Sequence, residues 1–583
     1  MSNKTKTLFA IILIVIIGFF VYSFNLGNDL FWDDLDWIVN NPFVHSLSWH
    51  NMSSLFTSNV LGGIGLSDNY YRPFLFLTFA FNYVVSEAEP WTYHLISNAL
   101  HILNGLLVFL LFSLLTRRRL IGLIAALAFV LHPIATEAVT YISGRGDPLH
   151  IFFMLVAMVL YVRSEQRLLP WKSWQRILSL IALVFALLSQ EKAIVFPFLL
   201  MAVHMGFLFD GRFLQSLKRA FIKALPYFAI VLVYGILRLT VLNFANTLDF
   251  YTVSNIYSEN LHVRLFTFLH VLLVYYGVLI APTGLHMERS IDIHLSFFDS
   301  PVMGSFIILI AIIALLVFLY RRKSPAFKIW FFGLAWFFIS LAPVSGITPI
   351  SAVLYEHWLY IALIGPVIIV VWYIVRLFDY LREGSIKYLY WVLIVVLLGY
   401  GSFLGYQSIQ RNILWGNPIE FYQDILRYEP DSVRINNNLG NHFFNGGDID
   451  QAETYYRKAA ELTINFPQPY FNIGAILEDK GDIEGALEVY KKSLEIDPTF
   501  YFATQNIINL YANAKDWMNA RQYMEELKVL RPSDPRVFYN SAILYAQVGD
   551  NDSLSVDLGK ALRFSEHDPE VRNLIEQFIE ALQ

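Results

Sequence analysis

Between Leu8 and Gln407 the sequence is a succession of long apolar runs separated by short basic stretches, and this alternation restricts the fold more than any other feature. After a basic start, Met1 to Lys6, the first run covers 8–22. Others follow at 93–116, 120–136, 148–163, 177–190, 192–209, 220–242, 303–320, 327–343, 353–376 and 388–407. Such lengths suit helices crossing a hydrocarbon core of roughly 30 Å. Only 15% of the 583 residues are charged, against about a quarter in soluble domains. The mean hydropathy is +0.49. A soluble globular enzyme, a disordered chain and a fibrous repeat are excluded. The expectation is an all-α polytopic membrane domain with about eleven crossings.

Phe24-Asn25-Leu26 is not a small-residue cleavage site, so the first run reads as an uncleaved anchor with a cytoplasmic amino terminus. Five basic groups then orient the rest: Arg117–Arg119, Arg163/Arg167/Lys172/Arg176, Arg212/Lys218/Arg219/Lys223, Arg321–Lys323 and Arg376/Arg382/Lys387. Strict alternation places all five in the cytoplasm, as positive charge requires. The apolar stretch 261–281 breaks the alternation, because both its flanks fall outside. It is expected to re-enter or to lie along the outer interface, and 408–583 is expected outside.

A second pattern begins after Trp415. Leu439-Gly440 recurs as Ile473-Gly474, Ala452 as Ala486 and Ala520, Tyr456 as Tyr490, and Pro498 as Pro532, all at a period of 34. This is the tetratricopeptide pattern, in which small residues let paired helices approach closely. A fourth, degraded repeat spans Pro535 to about Phe564, and Glu570 to Leu582 reads as a capping helix. The division is therefore 1–407 for the membrane domain, with its first external loop at 26–92, then a linker over 408–430 and repeats over 431–583. From Pro430 onward, 14 basic residues face 24 acidic ones, while the whole chain carries −5. No basic clustering of the kind that grips nucleic acid is present. Cysteine is absent, which removes disulfides, thiolate metal sites and cysteine nucleophiles.

Polar residues avoid the centres of the runs, where a transporter would place them. They gather instead at the outer ends: His94, His101, His132, Glu137, His150, Glu191, Lys192, Arg238, Glu356 and His357. Singly, each reads as an interfacial residue; together they suggest a site for a charged lipid head group. In the first loop, Asp33-Asp34 follows Phe31-Trp32. The pair reads as a general base with an orienting or metal-holding partner, or as a solvated turn. Arg72, before the short apolar stretch 73–86, reads as a phosphate ligand or as a snorkelling arginine.

Taken in order, these motifs resemble one family. They are Phe31-Trp32-Asp33-Asp34 with Asn40-Asn41-Pro42, Tyr71-Arg72-Pro73, and His94-Leu95-x-x-Asn98-x-x-x-His101. Leu131-His132-Pro133-Ile134-Ala135-Thr136-Glu137-Ala138-Val139 with Gly144-Arg145-Gly146-Asp147, Glu191-Lys192, Tyr355-Glu356-His357-Trp358-Leu359-Tyr360 and Arg411-Asn412-x-x-Trp415 complete the set. The sequence resembles the transmembrane and tetratricopeptide-repeat O-mannosyltransferases, glycosyltransferases of the GT-C fold, and in particular their prokaryotic members. Glu191-Lys192 stands where the family often has Lys-Glu, and His357 where animal members tend to carry arginine. Residues 243–302 match none of its motifs.

The resemblance implies inverting transfer of mannose or another hexose. The donor would be a polyprenyl-phosphate sugar, the acceptor a Ser or Thr of a protein recruited by the repeats, and the reaction would lie at the outer membrane face. Asp33 or Asp34 would be the catalytic base. Arg72, Arg145, Lys192 and His132 would stabilise the leaving phosphate, with His101 and Glu137 orienting neighbours. His94, Asp147, Glu356 and His357 complete the expected substrate-binding set. A divalent metal on Asp33 and Asp34 is compatible with the pattern but not demanded by it. The competing expectation is a non-catalytic repeat scaffold for envelope or pilus assembly, tethered to the membrane.

Overall fold

The computed structural model describes the chain apart from Met1, Ser67, Trp171, 209–212, 245–254, Ser351, 384–386, Ile464, 566–568 and Gln583. Arg212 of the third basic group and part of 243–302 thus lie outside the described residues. Among the described residues all regular structure is helical. The chain divides into two compact units, Met1–Phe421 and Tyr422–Gln583.

In the first unit, ten helices among the described residues are long and apolar enough to cross a membrane. They cover nine of the eleven expected runs. The other two are shorter helices, Arg119–Leu131 and Trp174–Ser189. The expected run 120–136 is broken because Pro133 lacks an N–H and drives His132 into an extended conformation (ψ 121°). The helix ends at Leu131 and the chain turns again only at Ala135–Thr140. At about 1.5 Å per residue, Arg119–Leu131 is roughly 20 Å long.

The tenth long helix is Leu261–Ile280, the stretch that broke the alternation. It is unbroken, so it does not re-enter. Arg264 near its start donates through Nε to the Gly346 carbonyl (2.7 Å), and His132 Nε2 meets the Leu279 carbonyl (3.2 Å) at its other end. Gly346 follows helix Ala326–Leu341 and His132 closes helix Arg119–Leu131. Both of those helices begin in a basic stretch, so both anchors sit at the opposite end of the unit. The helix therefore lies along that end. At the basic end, Arg118 makes a two-pronged pair with Asp379 (2.6 and 2.9 Å).

The second unit is four helix pairs and a last helix. The pairs are Val433–Asn445 with Ile449–Leu462, Gln468–Asp479 with Ile483–Ile496, Tyr501–Asn513 with Trp517–Leu530, and Pro535–Val548 with Asn551–Phe564. Pro569–Leu582 follows. Each second helix is capped by an aspartate at the 34-residue period. Asp448, Asp482, Asp516 and Asp550 each accept the N–H three residues on. At Gly474 an added Cβ would stand 2.4 Å from the Tyr490 ring, which is why the position tolerates no side chain. The end of helix Lys387–Leu414 and helix Pro418–Tyr428 occupy most of the stretch expected as a linker.

The residue before each capping aspartate is left-handed: Gly447, Gly481 and Gly549, but Lys515 (φ 59°) in the third repeat. A side chain there costs about 1 kcal/mol. Lys515→Gly should raise the stability of the repeats by up to about 1 kcal/mol, and Gly481→Ala should lower it comparably. Chemical denaturation of the full chain, followed by proteolysis of the repeats, checks both signs.

Candidate active site

The first external loop enters the site through strain. Trp32 has φ 61°, an uncommon conformation for a bulky residue. The next two residues are Asp33, half-buried, and Asp34, only 2% exposed. Asp34 Oδ1 accepts the Ser143 backbone N–H (2.8 Å) and the Ser143 hydroxyl (2.5 Å). Burial pushes the Asp34 carboxyl up to about 7, with the Asp33 charge adding to the rise and the Ser143 hydrogen bonds opposing it. Around the pair stand aromatic rings. Tyr141 stacks on Trp415 (5.4 Å, 27°), and Trp32 lies 6.4 Å from Tyr141 and 6.3 Å from Phe421. Burial and the two aspartates drive the Tyr141 hydroxyl well above its ordinary value.

A chain of ionic contacts forms a second part of the site. Arg72 grips Glu191 with two nitrogens (2.6 and 3.2 Å). Lys192 donates to Asp147 Oδ1 at 3.0 Å. Asp147 Oδ2 lies 3.9 Å from His357 Nε2, and His357 Nδ1 lies 2.7 Å from Glu137 Oε1. Glu137 also accepts the His357 backbone N–H (3.0 Å). Burial alone would lower the Arg72 pKa, but the charge and hydrogen bonds of Glu191, with Tyr70 and Asp147, together raise it. Tyr355 stacks on His357 (5.1 Å, 23°). Glu191–Val195 is a single 3-10 segment, which sets the acid toward Arg72 and the next residue, Lys192, toward Asp147. Six expected residues, Arg72, Glu137, Asp147, Lys192, Glu356 and His357, are thus brought together with Glu191. Glu356, next to His357, accepts from the His286 backbone N–H and from Arg289, both at 2.9 Å.

Other expected ligands are internal ties instead. Arg145 is fully buried. Its Nε donates to Ser97 (3.1 Å), Nη1 to Thr78 (3.1 Å) and Asn82 (2.8 Å), and Nη2 to the Tyr93 carbonyl (2.8 Å). Its guanidinium lies over Phe79, 4.7 Å from the ring centroid. Every nitrogen is engaged, so Arg145, expected at the donor phosphate, ties helix Pro73–Ser86 to helix Pro90–Thr116. His101 bonds Tyr360 (2.8 Å) and the Val130 carbonyl (3.2 Å) through its two nitrogens. His132 bonds the Leu279 carbonyl and the Ile134 N–H (3.3 Å). His94 meets the Asn28 carbonyl at 3.1 Å. For a metal on Asp33 and Asp34, among the described residues no three His, Asp or Glu side chains converge as a ligand set. No step is derived through one.

Three contributors escaped the sequence reading. Ser143 falls between two motif segments and has no periodic signature, so nothing marked it as the partner of Asp34. The same holds for Tyr141. Arg289 lies in the stretch that matched no motif.

The membrane unit and the repeats each match a known family. Residues 10–257 match the dolichyl-phosphate-mannose-protein mannosyltransferase family, and 433–463 and 467–500 match the tetratricopeptide repeat. Together they define the class: a GT-C-type membrane domain carrying tetratricopeptide repeats. Within that class the chain is homologous to the transmembrane and tetratricopeptide-repeat O-mannosyltransferases. It is 25% identical over 84% of its length to protein O-mannosyl-transferase TMTC3 of Mus musculus. It is 22% identical over 80% of its length to protein O-mannosyl-transferase F38B6.6 of Caenorhabditis elegans, covering 64% of that protein. Over 24% of the chain it is 35% identical to human protein O-mannosyl-transferase TMTC1, covering 17% of that protein. The chain spans about half the length of TMTC3 (56%).

Arg145→Lys keeps the charge but loses the fork that reaches four acceptors. It should destabilise the membrane unit by at least about 2 kcal/mol, read as a lowered midpoint of thermal unfolding in nanodiscs.

Proposed function

We propose that the protein is an inverting O-glycosyltransferase. It moves a hexose, mannose by family, from a polyprenyl-phosphate sugar to a Ser or Thr hydroxyl of an acceptor protein. The observation that carries this reading is Asp34: a buried carboxylate with a pKa near 7, fixed through one oxygen by Ser143, beside a chain of ionic contacts at one end of the bundle. A base is most effective when its pKa lies near the working pH. With Oδ1 held by Ser143, Oδ2 would accept the proton of the acceptor hydroxyl in this reading. As that proton moves to Asp34, the hydroxyl oxygen bonds the anomeric carbon. The carbon–oxygen bond to the lipid phosphate breaks on the opposite face, and the phosphate leaves with the electron pair. In this reading Glu137, Asp147, Lys192 and His357, joined by their mutual contacts, bind the sugar hydroxyls and stabilise the developing charge.

In the same reading, the site faces the outer side of an eleven-crossing domain, with a cytoplasmic amino terminus and the repeats outside. The repeats recruit the acceptor. In support, Asn438, Asn472, Asn506 and Asn540 recur at the 34-residue period on the first helices, each at least partly accessible, as suits hydrogen bonding to an extended peptide.

Asp34→Asn should lower sugar transfer to acceptor peptide by a factor of about 10² to 10⁴ in reconstituted vesicles, with Asp33→Asn affecting it less. Normal transfer by the Asp34 variant would overturn the assignment. The sign with pH follows from the raised pKa: the carboxyl is neutral and inactive below about 7, so the rate should climb as pH rises through that value. The Ser143 hydroxyl holds the pKa down. Ser143→Ala should therefore displace the acid limb to higher pH, by about one unit for each 1.4 kcal/mol of hydrogen bond lost. A pH–rate profile measures the displacement.

A further inference from the structure

The cations singled out in the sequence already have partners: Arg72 has Glu191, Lys192 has Asp147, and Arg145 has four neutral acceptors. Two other arginines differ. Arg289, in the irregular segment 281–299, sets Nη2 2.9 Å from Glu356 Oε1 and 2.7 Å from the Gly284 carbonyl. Arg411, near the end of helix Lys387–Leu414, donates through Nη1 to the Leu285 carbonyl and holds Nη2 3.8 Å from Glu356 Oε2. Arg289 Nε, Arg411 Nε and Arg411 Nη2 are buried and make no hydrogen bond among the described residues, and neither does Glu356 Oε2. Glu356 is 2% exposed and Arg411 7%. Two guanidinium groups thus converge on one carboxylate with three donors to spare, and burying such donors without a partner is costly.

We propose that Arg289 and Arg411 form a seat for a phosphate group, with Glu356 holding the two guanidinium groups in register. Arginine forks suit phosphate oxygens, and three buried nitrogens on the two guanidinium groups are left to donate to them. The lipid phosphate is the source that the surroundings favour. Ile280 (73% exposed) opens the segment that carries Arg289, and Tyr400 (43%), on the Arg411 face of helix Lys387–Leu414, donates to the Ile280 carbonyl (2.9 Å). A polyprenyl chain has apolar surface to follow toward the seat. Glu356 is adjacent to His357, so the seat adjoins the ionic chain that leads back toward Ser143 and Asp34. The proposal rests on the lipid-phosphate donor reading above.

Binding of radiolabelled polyprenyl phosphate to the full chain in nanodiscs tests it, with no acceptor present. Arg289→Gln and Arg411→Lys should each weaken binding about tenfold or more. In the unsubstituted chain, polyprenyl phosphate should also slow modification of Arg289 by phenylglyoxal, a readout that no folding defect disturbs. Unchanged binding by both variants, or no protection of Arg289, would overturn the seat and leave a closed arginine–glutamate–arginine triad. Protection by inorganic phosphate at the same concentration would keep the phosphate seat and overturn the lipid as its source. Because transfer is not read, loss of the seat is distinct from loss of the glycosyltransferase reading: Asp34→Asn should bind polyprenyl phosphate as the parent does.

Discussion

A buried set of amide and hydroxyl side chains holds the membrane unit together at the end where the candidate site lies. Asn25 donates to Asn98 (3.0 Å) and to Thr140 (3.1 Å). Asn98 donates back to Asn25 (2.8 Å) and to the Tyr22 carbonyl (2.9 Å). Thr140 donates to Asn412 (2.5 Å), and Asn412 to the Val21 carbonyl (2.8 Å). Asn25, Asn98 and Asn412 are at most 1% exposed and Thr140 2%. In an apolar surround such groups must find one another, since an unpaired amide there costs several kcal/mol. The first helix, helix Pro90–Thr116, the short helix Ala135–Thr140 and helix Lys387–Leu414 are therefore fixed together at one level. From that level the chain runs directly into the Asp33-Asp34 loop in one direction and into Tyr141 and Ser143 in the other. Asp34 and Ser143 meet because their supports cannot shift apart without breaking the network.

The ionic chain obeys a related constraint. Each cation in it is held by an acid on another element: Arg72 by Glu191, and Lys192 by Asp147. Charges placed near a hydrocarbon boundary are tolerated when paired, and pairing of this kind fixes direction more than it adds stability. Its consequence is that Arg72 and Lys192 are neutralised, while Arg145, held by neutral acceptors, has every nitrogen engaged. Unpartnered donors remain on Arg289 and Arg411, which share a single carboxylate.

Much of this was legible in the sequence, for identifiable reasons. Hydropathy exposes helices that must cover a fixed thickness, and the 34-residue period exposes helix pairs that must stack alike. Both signals come from many residues obeying one rule. The helix break at His132 was also written there, in Pro133, but the apolar run around it hid the break. Side-chain partners are a different matter. An arginine in Gly144-Arg145-Gly146-Asp147 reads the same whether its fork meets a phosphate or Ser97, Thr78, Asn82 and Tyr93, because those acceptors lie 48 to 67 residues away in sequence. Ser143 was invisible for the same reason: its importance comes from Asp34, 109 residues distant.

An inverting transfer needs its base and its leaving group on opposite faces of one sugar ring, so the distance between them has to be set by the fold. The contacts describe how that spacing is set. Ser143, which holds Asp34, and Asp147, which holds Lys192, lie four residues apart across the 3-10 turn Ser143–Arg145 and the start of helix Gly146–Gln166. Asp147 faces His357, and His357 is joined by one peptide bond to Glu356, which gathers Arg289 and Arg411. One helical turn and one dipeptide thus connect the proposed base to the proposed phosphate seat. In the proposed transfer the sugar would meet Glu137 and Asp147, whose carboxylates His357 and Lys192 already hold.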